Sequence, residues 1–284
     1  MSAPNSVTTE STTRRCGWLS DAARRRLLSR RGEPLFLADW MRVLMIHFEV
    51  DNTALQRDVP FELDLHEGCA FVSLVAFTME NMRPRLGGKL AAWLFKPIGT
   101  HHFLNLRTYI RHGGETGIHF LAEWLSNPLS VRLGPATFGL PYRHGRISYE
   151  HDWHGGLLRG RVVDARTAAV FAYRTDPDAG VPTEFVPCET GSLDEWLMER
   201  FTAFNSAGRR KRFFRIWHPP WLQCPVTAAV SNDSLLPEDW PWFADAKFAG
   251  ANFSPGVKDV WMGRPQSLSG QFNPGAVCRS GTAL

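Results

Sequence analysis

The sequence predicts a mostly β protein of the α+β class, with strands arranged as a large antiparallel barrel or sandwich and only a few short helices. Roughly eight or more segments show strand patterns, whereas about three or four look helical. The strand segments follow one another as neighbouring hairpins instead of alternating with helices, which argues against a doubly wound sheet. The sequence also has no glycine-rich phosphate loop of the Gly-x-Gly-x-x-Gly or Walker type.

The chain is predicted to form one domain between two tails. Its 284 residues are 44% hydrophobic and 21% charged, which is ordinary for a protein with a sizeable core. We interpret residues 1–17, rich in Ser and Thr, and residues 266–284 as disordered tails, and residues 18–265 as a single domain. Ser20 is the predicted N-cap of a helix over Asp21–Arg31.

The first part of the domain contains two apolar strands. Trp40–Asp51 is rich in β-formers, and its His47 is better explained as a hydrogen-bonded core histidine than as a ligand. Cys69–Met79 is almost wholly apolar, so both of its faces should be covered. Within the loop that follows, Lys89–Phe95 is predicted to be a short helix.

The stretch from Phe103 to Glu150 reads as strand, glycine turn, strand, short helix, tight corner and strand. Asn127 is the predicted N-cap of that helix, with Pro128 at its first position. After this stretch we predict four strands, at Gly156–Asp164, Ala168–Thr175, Lys211–Trp217 and Leu222–Ser231. A helix is predicted from the Ser192/Glu195 capping box through Phe201, and a loop over residues 237–265.

Strand alternation within Phe103–Ile110 and Gly117–Leu125 separates apolar from polar residues. The even-numbered face is apolar on both strands, and register should keep these apolar sets together. The odd-numbered face then gathers Asn105, Arg107, Tyr109, His119 and Glu123, with Arg107 and Glu123 within reach of each other. This face is either a charged surface in water or an anion or acid/base site inside a barrel.

The net charge, the length of the apolar runs and the placement of cysteine and histidine argue against several classes of partner and cofactor. The formal charge is +4, and the basic residues form only two small runs without a nucleic-acid motif. No stretch approaches the ~18 apolar residues of a membrane span, so neither nucleic acid nor a membrane is an expected partner. The five cysteines lack a Cys-x-x-Cys pair, which favours a reducing, cytoplasmic setting. The histidine clusters are better explained as surface or turn residues than as metal ligands. We therefore expect no metal and no cofactor.

Several segments together resemble a known family. Phe103–Tyr109, Gly117–Phe120, Phe138–Tyr142, His218-Pro-Pro-Trp221 and Phe253–Val257 are similar to the domain-of-unknown-function family 2071. The resemblance extends from about Trp40 to Trp261. That family is similar in turn to the acetoacetate decarboxylase-like superfamily, which implies a large, closed, mostly antiparallel β-barrel with an interior pocket.

The resemblance also implies a departure from Schiff-base chemistry. Acetoacetate decarboxylase carries the motif Gly-Phe-Pro-Lys-Lys, and its nucleophilic lysine needs a lowered pKa. Here the matching residues run from Gly139 to Arg143, with Tyr142 in place of the nucleophilic lysine. Tyrosine cannot form a Schiff base, but it can donate a hydrogen bond or a proton.

The function hypothesis is a barrel that binds a small oxo- or hydroxy-carboxylate in its lumen. The predicted ligand-binding residues are Arg107, Arg143, Asn105, Tyr109 and His119, and the predicted catalytic residues are Tyr142 and Glu123, acting by acid/base (lyase-like) chemistry. A non-catalytic binding barrel and a structural or interaction protein remain the alternatives. The sequence does not decide whether the protein is an enzyme, and a homo-oligomer is compatible with it.

Overall fold

The computed structural model describes residues 6–175, 184–207 and 210–268. Within them lie five α-helices: α1 (Ser6–Leu28), α2 (Asn52–Asp58), α3 (Gly88–Phe95), α4 (Pro128–Phe138) and α5 (Leu193–Met198). The strands are β1 (Phe36–Val50), β2 (Glu62–Leu63), β3 (Ala70–Pro84), β4 (His101–His112), β5 (Glu115–Leu125), β6 (Tyr142–Asp152), β7 (Leu157–Asp164), β8 (Val170–Thr175), β9 (Val186–Pro187), β10 (Thr202–Ala207), β11 (Arg210–Trp217), β12 (Leu222–Pro225), β13 (Ala228–Asn232), β14 (Lys247–Met262) and β15 (Gln266–Ser267).

These strands form one mostly antiparallel sheet, which confirms the predicted α+β, mostly β class. Its main path runs β13-β8-β7-β6-β5-β10-β11-β14-β1-β3-β4-β2, and β4 also pairs with β5. The two parallel pairings both involve β5, whose residues 118–119 pair with β10 and residues 123–125 with β6. β5 is therefore the strand at which two parts of the sheet diverge. No helix in the described part of the chain is long and apolar enough to cross a membrane.

The central strands are buried on both faces. Even-numbered residues such as Leu44, Leu74 and Leu104 belong to one apolar cluster. Odd-numbered residues such as Met45 and Val75 belong to a second one. The prediction that the Cys69–Met79 strand is covered on both faces is thus confirmed, and the hairpin of β4 and β5 has no solvent-facing side at its centre.

The structure differs from the predicted elements near both ends of the domain. Helix α1 begins at Ser6, inside the predicted tail, and Ser20 lies within it and donates a hydrogen bond to the carbonyl of His218 (2.6 Å) instead of acting as the N-cap. The guanidinium of Arg24 packs over the rings of Trp217 and Trp261, so tertiary contacts stabilise this helix. At the other end, residues 266–267 pair with β11. Residues 1–5 and 269–284 lie outside the described residues.

The largest error in the predicted elements concerns residues 237–265, which were predicted to be a loop. They contain β14, a 16-residue strand that pairs with β1 over nearly its whole length. Gly250, Gly256 and Asp259 have positive φ angles, and the register of β14 against β1 shifts twice. Irregularities of this kind place turn-forming residues inside a strand, which is why the pattern resembled a loop. The predicted strand over residues 222–231 is likewise two strands, β12 and β13.

Candidate functional site

The polar face of the β4–β5 hairpin is set by a register shift. Asn105 lies opposite Glu123, and after the shift at Leu106/Arg107, Arg107 lies opposite Phe120 and Tyr109 opposite Ile118. An extra residue in one strand moves the side chain of every later residue in that strand to the opposite face of the sheet. Asn105, Arg107 and Glu123 therefore share one face, as predicted, whereas the predicted Arg107–Glu123 pair does not form.

This face borders an internal cavity of about 250 Å³. Its wall is mainly apolar and includes Phe36, Trp40, Met45, Phe77, Phe103 and Phe120. Nine polar or titratable residues interrupt it, namely His101, Asn105, Arg107, Glu123, Ser130, Thr137, Tyr142, Arg200 and His218. A mostly apolar cavity with a few converging polar groups is typical of a small-molecule site.

Glu123 is the acid among the residues that line the cavity. Its side chain is 3% exposed, and its Oε2 atom has no hydrogen-bond partner among the described residues. Burial raises the pKa of the Glu123 carboxyl well above its ordinary value. The physical reason is that a carboxylate loses its hydration in an apolar wall without gaining a cation in return. Burial therefore favours the protonated form of Glu123, which can donate a hydrogen bond.

Tyr142 lies beside Glu123 because the first residues of β6 pair in parallel with the end of β5. Glu123 and Tyr142 are directly paired residues in this register. Burial, and then the neighbouring Glu123, raise the pKa of Tyr142 well above its ordinary value, so the phenol keeps its proton. Gly134 of α4 makes room for the ring, since a Cβ there would lie 2.0 Å from the Cε2 atom of Tyr142.

Arg107 is a buried cation with unused hydrogen-bonding capacity. Its Nη2 atom donates to the carbonyl of Leu197 (3.2 Å) and contacts the Sδ atom of Met45 (3.6 Å). Its Nε–H has no partner among the described residues, and neither has the Oδ1 atom of Asn105 on the same strand. A buried donor without a partner is costly, so an anionic or carbonyl-bearing ligand in the cavity would relieve the imbalance.

Three of the predicted site residues do not line the cavity. His119 points to the opposite face because of the register shift, and its Nδ1–H donates to the carbonyl of Phe204 (2.9 Å). Arg143 pairs with Trp124 in the register of β5 and β6, so it also leaves the cavity; its guanidinium forms an ion pair with Asp239. His119 therefore does not share the face of Arg107 as predicted, and Arg143 lies outside the cavity wall.

Tyr109, the third of them, is on the predicted side but behind the cavity wall. Its hydroxyl is 2.5 Å from the Oγ atom of Ser73, which is 2.7 Å from the Nδ1 atom of His47. The other ring nitrogen of His47 contacts the Oδ1 atom of Asn252 at 3.2 Å. His47 is thus the hydrogen-bonded core histidine that was predicted, and this buried chain fixes the strand that carries Arg107.

Sequence reasoning missed His101, Arg200 and His218 as residues of the cavity wall. His218 opens the His-Pro-Pro-Trp segment, a visible motif that was not connected with the site. Arg200 offers no local signal, because only the fold brings its Nη1 atom to the buried Oδ2 atom of Asp64 (2.8 Å). Burial lowers the pKa values of His101 and His218 to about 4, so both imidazoles are neutral at pH 7.

The site has no lysine. All five lysines of the chain lie within the described residues, and none of them lines the cavity. A Schiff base with a side-chain amine is therefore not available at this wall. Among the residues that the structure describes, no group of three or more His, Cys, Asp or Glu side chains is arranged to hold a metal ion.

Comparison with known proteins connects the chain to a family and to a fold. It is 30% identical over 230 residues to the uncharacterized protein YqjF of Bacillus subtilis (strain 168), covering 76% of this chain and 89% of YqjF. An acetoacetate decarboxylase-like enzyme from Sphingomonas wittichii RW1 has a similar structure (TM-score 0.57, 15% identity, 83% of this chain and 94% of that one). The enduracididine biosynthesis enzyme MppR, solved with pyruvate, is similar to the same degree (TM-score 0.57, 13% identity, 85% and 93%).

These structural likenesses establish an acetoacetate decarboxylase-like fold. The family assignment rests on sequence, since the DUF2071 family of uncharacterized conserved proteins matches residues 37–257, most of the domain. The match includes the cavity residues from Phe77 to His218 and the β14 segment around Gly256. The chain belongs to the DUF2071 family.

Proposed function

We propose that this protein binds a small oxo- or hydroxy-carboxylate in the cavity, and that the ring of strands β5, β10, β11, β14, β1, β3 and β4 is a closed barrel around it. The observation that carries the proposal is the pair of unsatisfied groups in the apolar wall, the Nε–H of Arg107 and the Oε2 atom of Glu123. A carboxylate ligand would supply the acceptor that Arg107 lacks. Its carbonyl or hydroxyl oxygen would accept a hydrogen bond from Glu123.

The proposed chemistry is acid/base catalysis without a covalent intermediate. The protonated form of Glu123, which burial favours, would donate its proton where negative charge develops on the ligand oxygen. Tyr142, also protonated, would donate a second hydrogen bond to the same region. The apolar wall would keep water away and strengthen both interactions.

Two relatives support the choice of ligand class. MppR was solved with pyruvate, a 2-oxo acid, and other proteins of this fold are acetoacetate decarboxylases, whose name refers to a 3-oxo acid. The cavity wall here is mainly aromatic and aliphatic, which favours an oxo acid with an apolar side chain. We also propose a cytoplasmic location, because Cys69 and Cys224 are free thiols.

Binding is tested by the stability of the protein with 2-oxo acids. Pyruvate or phenylpyruvate at 100 times its Kd should stabilise the folded state by about 2.7 kcal/mol, measured as a rise in melting temperature. Arg107→Met should weaken binding by about 10- to 100-fold, because a charge-assisted hydrogen bond is lost. Arg143→Met is the matched control and should bind as the unmodified protein does. Equal affinities of both variants would refute the role of Arg107.

Catalysis is tested separately with Glu123→Gln, which keeps the shape of the side chain and removes the transferable proton. Turnover of an oxo acid that the protein converts should fall by about 10²- to 10⁴-fold, while the Kd of the same compound should change little. Product formation is followed by NMR. If the variant retains full turnover, Glu123 is not the acid; if the unmodified protein binds the panel and converts none of it, the acid/base proposal fails and binding stands.

A further inference from the structure

One face of the molecule presents large apolar side chains to solvent. Helix α3 has no buried residue, and Leu90, Trp93 and Leu94 are exposed by 69%, 68% and 61%. Leu86, just before the helix, is exposed by 69%. Leu129 and Leu133 on α4 are also exposed. Exposed apolar residues grouped in this way mark an interaction surface.

Helices α3 and α4 form a continuous part of the surface. The side-chain amide of Asn127, the N-cap of α4, donates to the carbonyl of Pro97 just after α3 (2.7 Å). The ring of Phe36 packs against both Phe95 at 5.5 Å and Phe138 at 6.0 Å, the last residues of the two helices. We call the exposed residues of these two helices, with Leu86 and Lys96, the α3–α4 face. Its inner side covers the cavity through residues of both helices.

The charge on this face has one sign. Lys89, Lys96 and Arg132 are exposed there, with Arg85 beside them. The chain has no Asp or Glu between residues 81 and 114 or between residues 124 and 149. Two of the five lysines of the chain lie within this short helical segment.

The charges decide between two possible occupants. A two-fold contact between copies of the chain would place the same basic residues opposite one another, which is unfavourable. An anionic bilayer surface complements them, and Trp and Leu side chains insert at the boundary between headgroups and acyl chains. We propose that the α3–α4 face docks onto the surface of membranes that contain anionic lipids. The expectation of no membrane partner rested on the lack of a spanning segment, and docking requires none.

Vesicle sedimentation tests the electrostatic part of the proposal. The protein should sediment with phosphatidylcholine vesicles that contain phosphatidylglycerol and not with pure phosphatidylcholine, and raised salt should release it. Lys89→Gln with Lys96→Gln should lower the partition coefficient roughly 25-fold, since each basic residue near the surface contributes about fivefold. Lys247→Gln with Lys258→Gln, two exposed lysines elsewhere, is the control and should change it little. Equal effects of both pairs would overturn the proposal.

Insertion of the apolar side chains is tested with Trp93→Ser, against Trp18→Ser as a control at a similarly exposed tryptophan of α1 (61% exposed). Trp93→Ser should lower vesicle binding at least about tenfold, with an unchanged melting temperature because the side chain is exposed. Light scattering after gel filtration gives the oligomeric state of both variants. A dimer that Trp93→Ser dissociates, together with no vesicle binding by the unmodified protein, would assign the face to a second copy and overturn the proposal.

Discussion

Acidification from pH 6.5 to pH 5 is expected to lower the free energy of unfolding by about 3 kcal/mol, a large part of the 5–15 kcal/mol typical of a domain. Burial lowers the pKa of His47 to about 3 and the pKa values of His101, His151 and His218 to about 4. In the unfolded chain each imidazole titrates near 6.5. Between these values the four imidazoles bind four more protons in the unfolded state than in the folded state. Their contribution to stability is therefore present above pH 6.5 and is lost as the pH falls.

Two buried carboxyl groups oppose this effect. Burial raises the pKa of Glu199 to about 8 and that of Glu123 well above its usual value. Their contribution is fully present below the unfolded pKa near 4.5 and is lost as the pH rises towards the folded value. Between pH 5 and 6 the four histidines outnumber the two acids, so stability still falls as the pH is lowered. Above pH 6.5 only the acids act, so stability should be greatest near pH 6.5.

Urea unfolding at pH 5, 6.5 and 8 measures how the free energy of unfolding changes on the acid side and on the alkaline side of its maximum. Glu199→Gln should reduce the loss of stability between pH 6.5 and 8 and increase the loss between pH 6.5 and 5, because one of the two carboxyl groups that oppose the histidines is gone. The amide oxygen can still accept the hydrogen bond that Glu199 takes from the Trp221 backbone N–H. A protein that is most stable at pH 8, or a variant with an unaltered loss of stability on the alkaline side, would show that these carboxyl groups are ionised in the folded state.

Replacing Gly256 by alanine is expected to destabilise the protein by at least about 3 kcal/mol. Gly256 lies in β14 with φ +120°, where residues with a Cβ are strained. The new Cβ would also lie 2.3 Å from the carbonyl oxygen of Trp40 and 2.7 Å from the Cα atom of Met41. Both are backbone atoms of the neighbouring strand β1, so they cannot move aside without breaking the pairing of β1 with β14.

Gly250→Ala separates the two causes. Gly250 lies in the same strand with φ +141°, but a Cβ there would meet no atom within 4 Å. Its cost should be limited to backbone strain, about 1 kcal/mol. Chemical denaturation of both variants gives the comparison. Equal losses of stability would mean that the β1 backbone yields at Trp40 and that the close approach is not a constraint.

The sequence predicted the side-chain faces of the site as far as regular alternation holds. Asn105, Arg107 and Glu123 line the same cavity wall. Asn105 and Arg107 are two residues apart on β4, and Glu123 lies opposite Asn105, on the near side of the register shift. His119 does not line this wall, since the irregularity at Leu106/Arg107 moves it to the other face. Such a shift depends on how two strands pack and leaves no mark in either strand alone.

Arg143 and β14 also depend on strand pairing that the local sequence does not determine. The sequence predicts the corner at residues 138–143. It does not predict which of Tyr142 and Arg143 enters the cavity, because that depends on the parallel register of β6 against β5. In β14, Gly250, Pro255 and Gly256 are turn formers by composition. They become strand residues because β1 supplies a partner about 200 residues earlier in the chain.

That distance between β1 and β14 has a consequence for synthesis of the protein. At about 5–20 residues per second, roughly 10–40 s pass between the emergence of the two strands from the ribosome. During that time one edge of β1 has no partner, and its apolar residues are open to other chains. Pairing between strands so far apart in the chain also makes folding slow. Newly made chains should therefore depend on chaperones until their last third has been translated.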